Sequence, residues 1–169
     1  LRSYIKIDRE NRCRRCGKIE TQNHVLNGCK FRADNYVIRY DMVQNVILSH
    51  YNREEKDIIF VDTHIPDYLY EGNVSHNKPD IVILNETSKS KIIEIAVPYD
   101  RNIERSYKKK LKRYSKLETA MKKKFPDYQT NIFPIVIGSL GGFNKQLIKN
   151  LKLIKIQTLE KCKLVLVLK

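Results

Sequence analysis

Three of the four cysteines lie with a histidine in one short segment near the start of the chain, with the spacing Cys13-x2-Cys16-x7-His24-x4-Cys29. Two cysteines separated by two residues form a knuckle that brings both thiolates to one ion, and the histidine and the third cysteine can complete a tetrahedron. Because protein groups fill all four positions, the spacing predicts a structural zinc site that folds around its metal. The alternative is a set of ordinary buried or free thiols.

The rest of the chain has the composition of a globular domain, since 41% of its 169 residues are hydrophobic, enough for one α/β core. We predict a zinc module over 1–34 and a domain over 35–169, in which helices flank a mixed central sheet. Short apolar runs predict strands at 58–61, 81–84, 92–97 and 132–137. Helical spacing predicts helices from Asp41, as N-cap, to Tyr51, over 103–125 and over 143–160. The segment 164–168 fits a strand or a continuing helix.

Two carboxylates are set symmetrically about a predicted hairpin. Asp80 precedes the second predicted strand and Glu94 lies within the third. If the polar residues between these strands form the turn, its centre is near Thr87, which is equidistant from both acids. Opposed residues on paired strands have Cβ atoms about 4.5 to 5.5 Å apart, and like charges there destabilise a sheet. A magnesium or manganese ion would relieve the repulsion. The alternative is that Glu94 pairs with a lysine while Asp80 faces solvent.

The predicted helix over 103–125 is strongly basic on one side. Its apolar stripe consists of Tyr107, Leu111, Tyr114, Leu117 and Met121. At about 100° per residue, Lys108, Lys109 and Lys112 point away from this stripe, whereas Lys110 lies near it and shares a face with Tyr114. Lys110 can therefore face the sheet, where a cation could orient or deprotonate water and stabilise the charge that develops on a phosphate. For Tyr114, a core position and a direct catalytic role are both open.

The whole chain carries a large positive charge: 33 Lys and Arg against 19 Asp and Glu give a formal charge of +14. A polyanion such as nucleic acid is the predicted partner, since each neutralised phosphate releases counterions. A membrane surface is the competing partner, but the chain has neither an apolar run long enough for a bilayer nor a signal-peptide core, so we expect an intracellular protein. The residues predicted to contact nucleic acid are Arg12, Arg14, Arg15, Lys78, Lys108, Lys109, Lys112 and Arg113.

The order of several short motifs resembles a known family. The motifs are the CCHC knuckle, Arg39-Tyr40-Asp41, Lys78-Pro79-Asp80, the run IEIAVPYD over 93–100, and Lys110-Leu111-Lys112-Arg113-Tyr114. This series is similar to the C-terminal part of site-specific non-LTR retrotransposon polyproteins, in which a zinc knuckle precedes a restriction-like endonuclease of the PD-(D/E)XK superfamily. Most of that superfamily has its lysine two residues after the second acid, where this chain has Ala96. The retrotransposon branch has the lysine on the following helix instead.

The resemblance implies a catalytic site and a reaction. Asp80, Glu94 and the carbonyl of Ile95 would bind magnesium or manganese, which activates water for attack on a DNA phosphodiester, while Lys110 and Tyr114 assist from the helix. The resulting 3′ hydroxyl would prime reverse transcription of the element's RNA by a polymerase domain of the same polyprotein, in the nucleus. The absence of an initiator methionine is what we expect for a piece of such a polyprotein.

Three alternatives stay open at this stage. The catalytic lysine could be Lys109 or Lys112 rather than Lys110. A module that only binds DNA or RNA would use the knuckle and the basic helix, with Asp80 and Glu94 in structural ion pairs. A nuclease of the same superfamily that resolves Holliday junctions would share the metal site but prefer branched DNA.

Overall fold

The computed structural model describes residues 11–85 and 89–156. Four strands form one sheet, and they are β1 (Asp57–Val61), β2 (Ile81–Asn85), β3 (Lys89–Ala96) and β4 (Gln129–Val136). The α-helices within these ranges are α1 (Ala33–His50), α2 (Ile103–Lys124) and α3 (Lys145–Leu153). The Cys/His segment precedes α1 and includes one π-helical turn, His24–Gly28.

The sheet is mixed, with the strand order β1-β2-β3-β4. The pairs β1/β2 and β2/β3 are antiparallel, whereas β3 and β4 are parallel. Parallel neighbours need a long crossover connection, and α2 supplies it. This arrangement confirms the predicted α/β class, a mixed sheet flanked by helices with a Cys/His cluster at its N-terminal side.

The strands β2 and β3 form the predicted hairpin, whose register pairs Ile81 with Ile93 and Asn85 with Lys89. Continued by one residue, the same register sets Asp80 beside Glu94, as their equal distance from Thr87 predicts. The turn at 86–88 lies outside the described residues.

Side chains along the strands alternate between two apolar cores on opposite faces of the sheet. On one face, Ile93 and Ile95 of β3 belong to the core that includes side chains of α1 and α3. On the other face, Ile92 belongs to the core that includes Tyr114 of α2. Glu94 shares the face of Ile92, because residues two apart in a strand point the same way. The strand periodicity therefore directs this carboxylate toward α2.

Helix α1 begins at Ala33, so the predicted start with Asp41 as N-cap is wrong; Asp41 is exposed within the helix. Contacts with the Cys/His segment explain the earlier start. The hydroxyl of Tyr36 accepts from the N–H of Cys29 at 2.7 Å and donates to the carbonyl of the same residue at 2.9 Å. These two bonds tie the first turns of α1 to the segment that precedes it. The predicted module boundary between residues 34 and 35 falls within the first turn of this helix.

Within the described residues, helix α3 is shorter than the predicted helix over 143–160, because it begins at Lys145 and ends at Leu153; residues 157–160 lie outside the described part of the chain. The side chain of Asn144 caps the start of the helix by accepting from a backbone N–H in the first turn at 3.2 Å. Lys155 then adopts a φ of 65°, a left-handed conformation that no α-helix continues through. Ile156 leaves the helix to form a β-bridge with Tyr51.

The segment 164–168, for which helix and strand were both open, lies outside the described part of the chain. Within the residues that the structure describes, no helix combines the length and the apolar character needed to cross a bilayer.

Candidate functional site

The four predicted zinc ligands come together in space. The Sγ atoms of Cys13 and Cys29 lie 3.8 Å apart, and Sγ of Cys16 lies 3.1 Å from Nε2 of His24. All four ligand atoms lie within 4.8 Å of one another. Two sulfurs bound to one tetrahedral zinc at about 2.3 Å are about 3.8 Å apart, so the pair of buried thiols fits this ion. The cluster can therefore bind a structural zinc.

A tight turn shapes the knuckle between the first two cysteines. The N–H groups of Cys16 and Gly17 donate to the carbonyl of Cys13 at 3.3 and 2.8 Å. Gly17 has a φ of 73°, which a glycine adopts without strain. The backbone N–H of Arg15 is the main cause that lowers the pKa of the Cys13 thiol to about 6, against the opposing effect of burial. A lowered pKa favours the thiolate, which is the form that binds zinc.

Several contacts join the Cys/His segment to the sheet domain, including a hydrogen bond from the hydroxyl of Tyr99 to the side chain of Gln22 at 2.8 Å. Arg39 of α1 donates through Nη2 to the carbonyl of Leu26. The side-chain amide of Asn27 is hydrogen-bonded to the hydroxyl of Ser139, which follows β4, at 3.0 Å. Arg39 has no role that the sequence predicts, and the structure shows that it connects α1 to the loop that carries His24 and Cys29.

A second cluster lies where α2 crosses the open end of the hairpin. The ammonium Nζ of Lys110 lies 3.1 Å from Oδ2 of Asp80 and 2.8 Å from Oε2 of Glu94. The N–H of Asp80 donates to Oε1 of Glu94 at 3.1 Å, and the N–H of Ile95 donates to Oδ2 of Asp80 at 2.6 Å. Three side chains predicted as catalytic therefore share one network of hydrogen bonds, which we call the acid cluster.

The acid cluster has too little positive charge for its two carboxylates. The side chain of Glu94 is 0% exposed, and those of Asp80 and Lys110 are 15% and 19% exposed. Burial raises the pKa of Glu94 to about 7; Lys110 opposes this rise, and the charge of Asp80 adds to it. When both carboxylates are ionised, the one ammonium leaves a net negative charge in a site that is largely removed from water, so either a proton on Glu94 or a further cation is stabilised there.

Helix periodicity identified the lysine that faces this site. Lys108, Lys109 and Lys112 are exposed, whereas Lys110 is partly buried and contacts both acids. The other residues predicted to contact nucleic acid are also exposed, and they are Arg12, Arg14, Arg15, Lys78 and Arg113.

Tyr114 is buried, and its hydroxyl donates to the carbonyl of Lys78 at 2.8 Å. Burial, together with the charge of Glu94, raises the pKa of this phenol above its usual value. Through the bond to Lys78, Tyr114 holds the turn that leads to Asp80. Its contacts are those of a positioning residue, and a direct catalytic role for Tyr114 stays a prediction.

Sequence reasoning missed Asp62, the residue that follows β1. Its N–H donates to the carbonyl of Asp80 at 2.9 Å. Its carboxylate accepts from Nε2 of Gln44 at 2.7 Å and from the hydroxyl of Tyr40 at 3.3 Å, both from α1. Asp62 has a φ of 46°, which is uncommon for a residue with a side chain. The turn at Asp80 is thus held from α1 as well as from α2. Only the pairing of β1 with β2 reveals this, and no local pattern encodes that pairing.

Asp100, within the motif over 93–100, has a structural role. Its carboxylate accepts from the N–H groups of Leu140 and Gly142, each at 2.9 Å. A Cβ atom at Gly138 or Gly142 would collide with this carboxylate. The glycines after β4 therefore let the loop close around the Asp100 carboxylate, which explains why glycine is needed at positions 138 and 142.

No protein-family model matches the chain, and a comparison with curated proteins finds no match either. The resemblance to retrotransposon endonucleases therefore stays a hypothesis that depends on the motifs and on the geometry described above.

The buried carboxyl of Glu94 predicts a pH-dependent stability. A carboxyl whose pKa rises from 4.5 to about 7 on folding binds its proton more tightly in the folded state. The stabilisation that this tighter proton binding contributes to the free energy of unfolding is therefore fully present below about pH 4.5, declines as the pH rises to about 7, and is constant above that. The total decline corresponds to roughly 3 kcal/mol. In buffer without magnesium or manganese, we expect wild type to lose up to that much more free energy of unfolding than Glu94→Gln between pH 4.5 and 8, measured by urea denaturation. Parallel pH profiles for the two proteins would contradict this assignment.

Proposed function

We propose that the protein is a DNA endonuclease that depends on magnesium or manganese. The observation that carries the proposal is the acid cluster, in which Asp80, Glu94 and Lys110 converge from a strand end, a strand and a helix. Hard carboxylate oxygens suit these ions, and the net negative charge of the cluster favours a further cation. The exposed cations of α2 would hold the polyanionic substrate beside it.

Each residue has a proposed role. Asp80 and Glu94 would hold the divalent ion, together with the carbonyl of Ile95. The N–H of Ile95 already points at Asp80, and the N–H and C=O of one strand residue point to the same side of the strand. When bound, the ion supplies Lewis acidity for hydrolysis of a phosphodiester. Lys110 would stabilise negative charge on the phosphate, and Tyr114 would keep the Asp80 turn in position.

The resemblance extends this proposal to a biological reaction. The nick would leave a 3′ hydroxyl that primes reverse transcription of a non-LTR retrotransposon. The element's RNA and the reverse transcriptase domain of the same polyprotein would then be partners, and the reaction would take place in the nucleus. The Cys/His cluster, with zinc bound, would stabilise the segment that carries Arg12, Arg14 and Arg15 beside the endonuclease domain.

A second candidate function is nucleic-acid binding without cleavage. The observation that favours it is the contact of Lys110 with both carboxylates, since an ammonium between two acids partly satisfies them without any metal. In that case the acid cluster would stabilise the fold, and only the basic surface would be functional.

The two candidates differ in a cleavage assay with the zinc-loaded protein. We expect magnesium or manganese to permit nicking of duplex DNA, and calcium or a chelator of magnesium to prevent it. Asp80→Asn should slow cleavage at least about 10³-fold, which corresponds to the loss of roughly 4 kcal/mol of transition-state stabilisation. Lys149→Ala, an exposed change on α3, is the control and should cut as wild type does.

Other outcomes of this assay would contradict the proposal. Tight binding of duplex DNA with no metal-dependent cleavage would favour the module that only binds. Cleavage of four-way junctions in strong preference to duplex DNA would favour a Holliday-junction-resolving nuclease.

A further inference from the structure

An open groove lies between the outer side of α2 and the loop that precedes Asp80. Its volume is about 510 Å³. We call it the basic groove, and its lining includes Ser75, His76, Lys109, Lys112, Arg113 and Lys116. Ser75, His76 and Lys116 were not among the residues predicted to contact nucleic acid. The loop therefore contributes a second wall to a surface that the sequence indicated only on the helix.

The charge of the basic groove is not compensated. Four of its lining residues are cations, and none of its lining residues is acidic. Among the residues that the structure describes, no carboxylate lies within ion-pair distance of any of these four. Other cations of the same helix differ, since Lys108 pairs with Glu104 and Lys122 pairs with Glu118 at 3.7 and 2.7 Å. Clustered cations without acidic partners repel one another and attract a polyanion.

The basic groove adjoins the acid cluster through Tyr114. The guanidinium of Arg113 lies 5.6 Å from the centre of the Tyr114 ring, and the ring of His76 lies 6.5 Å from it, edge to face. The hydroxyl of Tyr114 donates to the carbonyl of Lys78, two residues before Asp80. Tyr114 thus lies beside two residues of the groove and bonds to the turn that leads to Asp80, so the groove is close to the acid cluster in the fold.

We propose that the basic groove binds the backbone phosphates of duplex DNA on one side of the cut. The cations of α2 neutralise the phosphates, while the hydroxyl of Ser75 and the imidazole of His76, which are hydrogen-bonded to each other at 3.0 Å, contribute polar contacts from the opposite wall. The choice of DNA rests on the proposed endonuclease function. The binding of a polyanion in this groove rests on its own geometry and charge.

The test compares two pairs of lysines in an Asp80→Asn background, which removes cleavage from the measurement. One variant is Lys112→Ala/Lys116→Ala in the groove. Its matched control is Lys149→Ala/Lys152→Ala, which removes the same charge from exposed positions on α3. A third variant, Ser75→Ala/His76→Ala, tests the opposite wall. Binding of a fluorescent DNA duplex is titrated over several salt concentrations by anisotropy, with an RNA duplex of the same sequence in parallel.

We expect the groove pair to lower the slope of log K against log salt by about two units and the affinity at 0.1 M salt by about 50-fold. The Ser75/His76 pair should weaken binding with a smaller change in slope, and the α3 pair should bind as its parent does.

Equal losses of affinity for the two lysine pairs would overturn the proposal that the groove binds phosphates, and tighter binding of the RNA duplex would overturn the assignment to DNA. If the groove pair weakens binding but wild type never cuts DNA, the groove stands and the endonuclease proposal fails. If wild type cuts DNA and the groove pair binds as tightly as its parent, the groove proposal fails and the endonuclease proposal stands.

Discussion

Removal of zinc is expected to unfold the Cys/His segment and the first turns of α1 while the sheet stays folded. Zinc bound by such a ligand set typically contributes about 10 to 16 kcal/mol, far more than the few hydrogen bonds in this segment. Cys13 and Cys29 are 3% and 0% exposed, so without metal their thiols would be buried and would lose the ion that joins the four ligands. The sheet has its own apolar cores on both faces, which do not depend on the segment.

Hydrogen exchange before and after chelation measures this division. We expect one zinc per chain, and chelation should remove protection from residues 11–32 and from the start of α1, where Tyr36 bonds to Cys29. Protection in β2 and β3 should persist. Cys29→Ser should behave as the chelated protein does, and Lys18→Ala, an exposed change in the same segment, should keep its zinc. Protein purified without chelator that contains no zinc would refute the site. Loss of protection throughout the sheet would show that the segment is part of one cooperative unit.

Sequence reasoning predicted the parts of the site that local periodicity determines. The hairpin register followed from the polar turn centred near Thr87, because residues equidistant from the centre of a turn, such as Asp80 and Glu94, face each other across the hairpin. The choice of Lys110 followed in the same way from the helical repeat. Both inferences needed only the chain on either side of one turn or along one helix.

The contacts that local sequence patterns did not predict are polar contacts between different elements. The early start of α1 depends on bonds between Tyr36 and Cys29, and the support of the Asp80 turn depends on Asp62, which belongs to a different strand end. The pairing of Asp100 with the loop after β4 spans 40 residues of sequence. Hydrophobic patterns identify faces and elements, but they do not specify which polar groups meet once the elements pack.

Replacement of Lys110 is expected to lower the free energy of unfolding more than any other change in the acid cluster, and the sign of that effect follows from a count of charges. Wild type has two carboxylates and one ammonium, Asp80→Asn leaves one of each, and Lys110→Met leaves two carboxylates alone. Removal of one partner from a buried ion pair typically costs about 3 to 5 kcal/mol. In metal-free buffer that retains zinc, Lys110→Met should therefore lower the free energy of unfolding by about that amount, whereas Asp80→Asn should not lower it.

Two further measurements separate a metal site from a purely structural ion pair. The double variant Asp80→Asn/Lys110→Met should be more stable than Lys110→Met alone, because one of the two opposed charges is gone. Magnesium or manganese should restore most of the stability of Lys110→Met, since a divalent cation can take over the charge of the missing ammonium, and Lys109→Met should show neither effect. Lys110→Met should still cut at least about 10²-fold more slowly at saturating protein. A loss of stability that no divalent ion restores would mean that the carboxylates form structural ion pairs with Lys110 and do not bind a metal. The module that only binds nucleic acid would then describe this protein better.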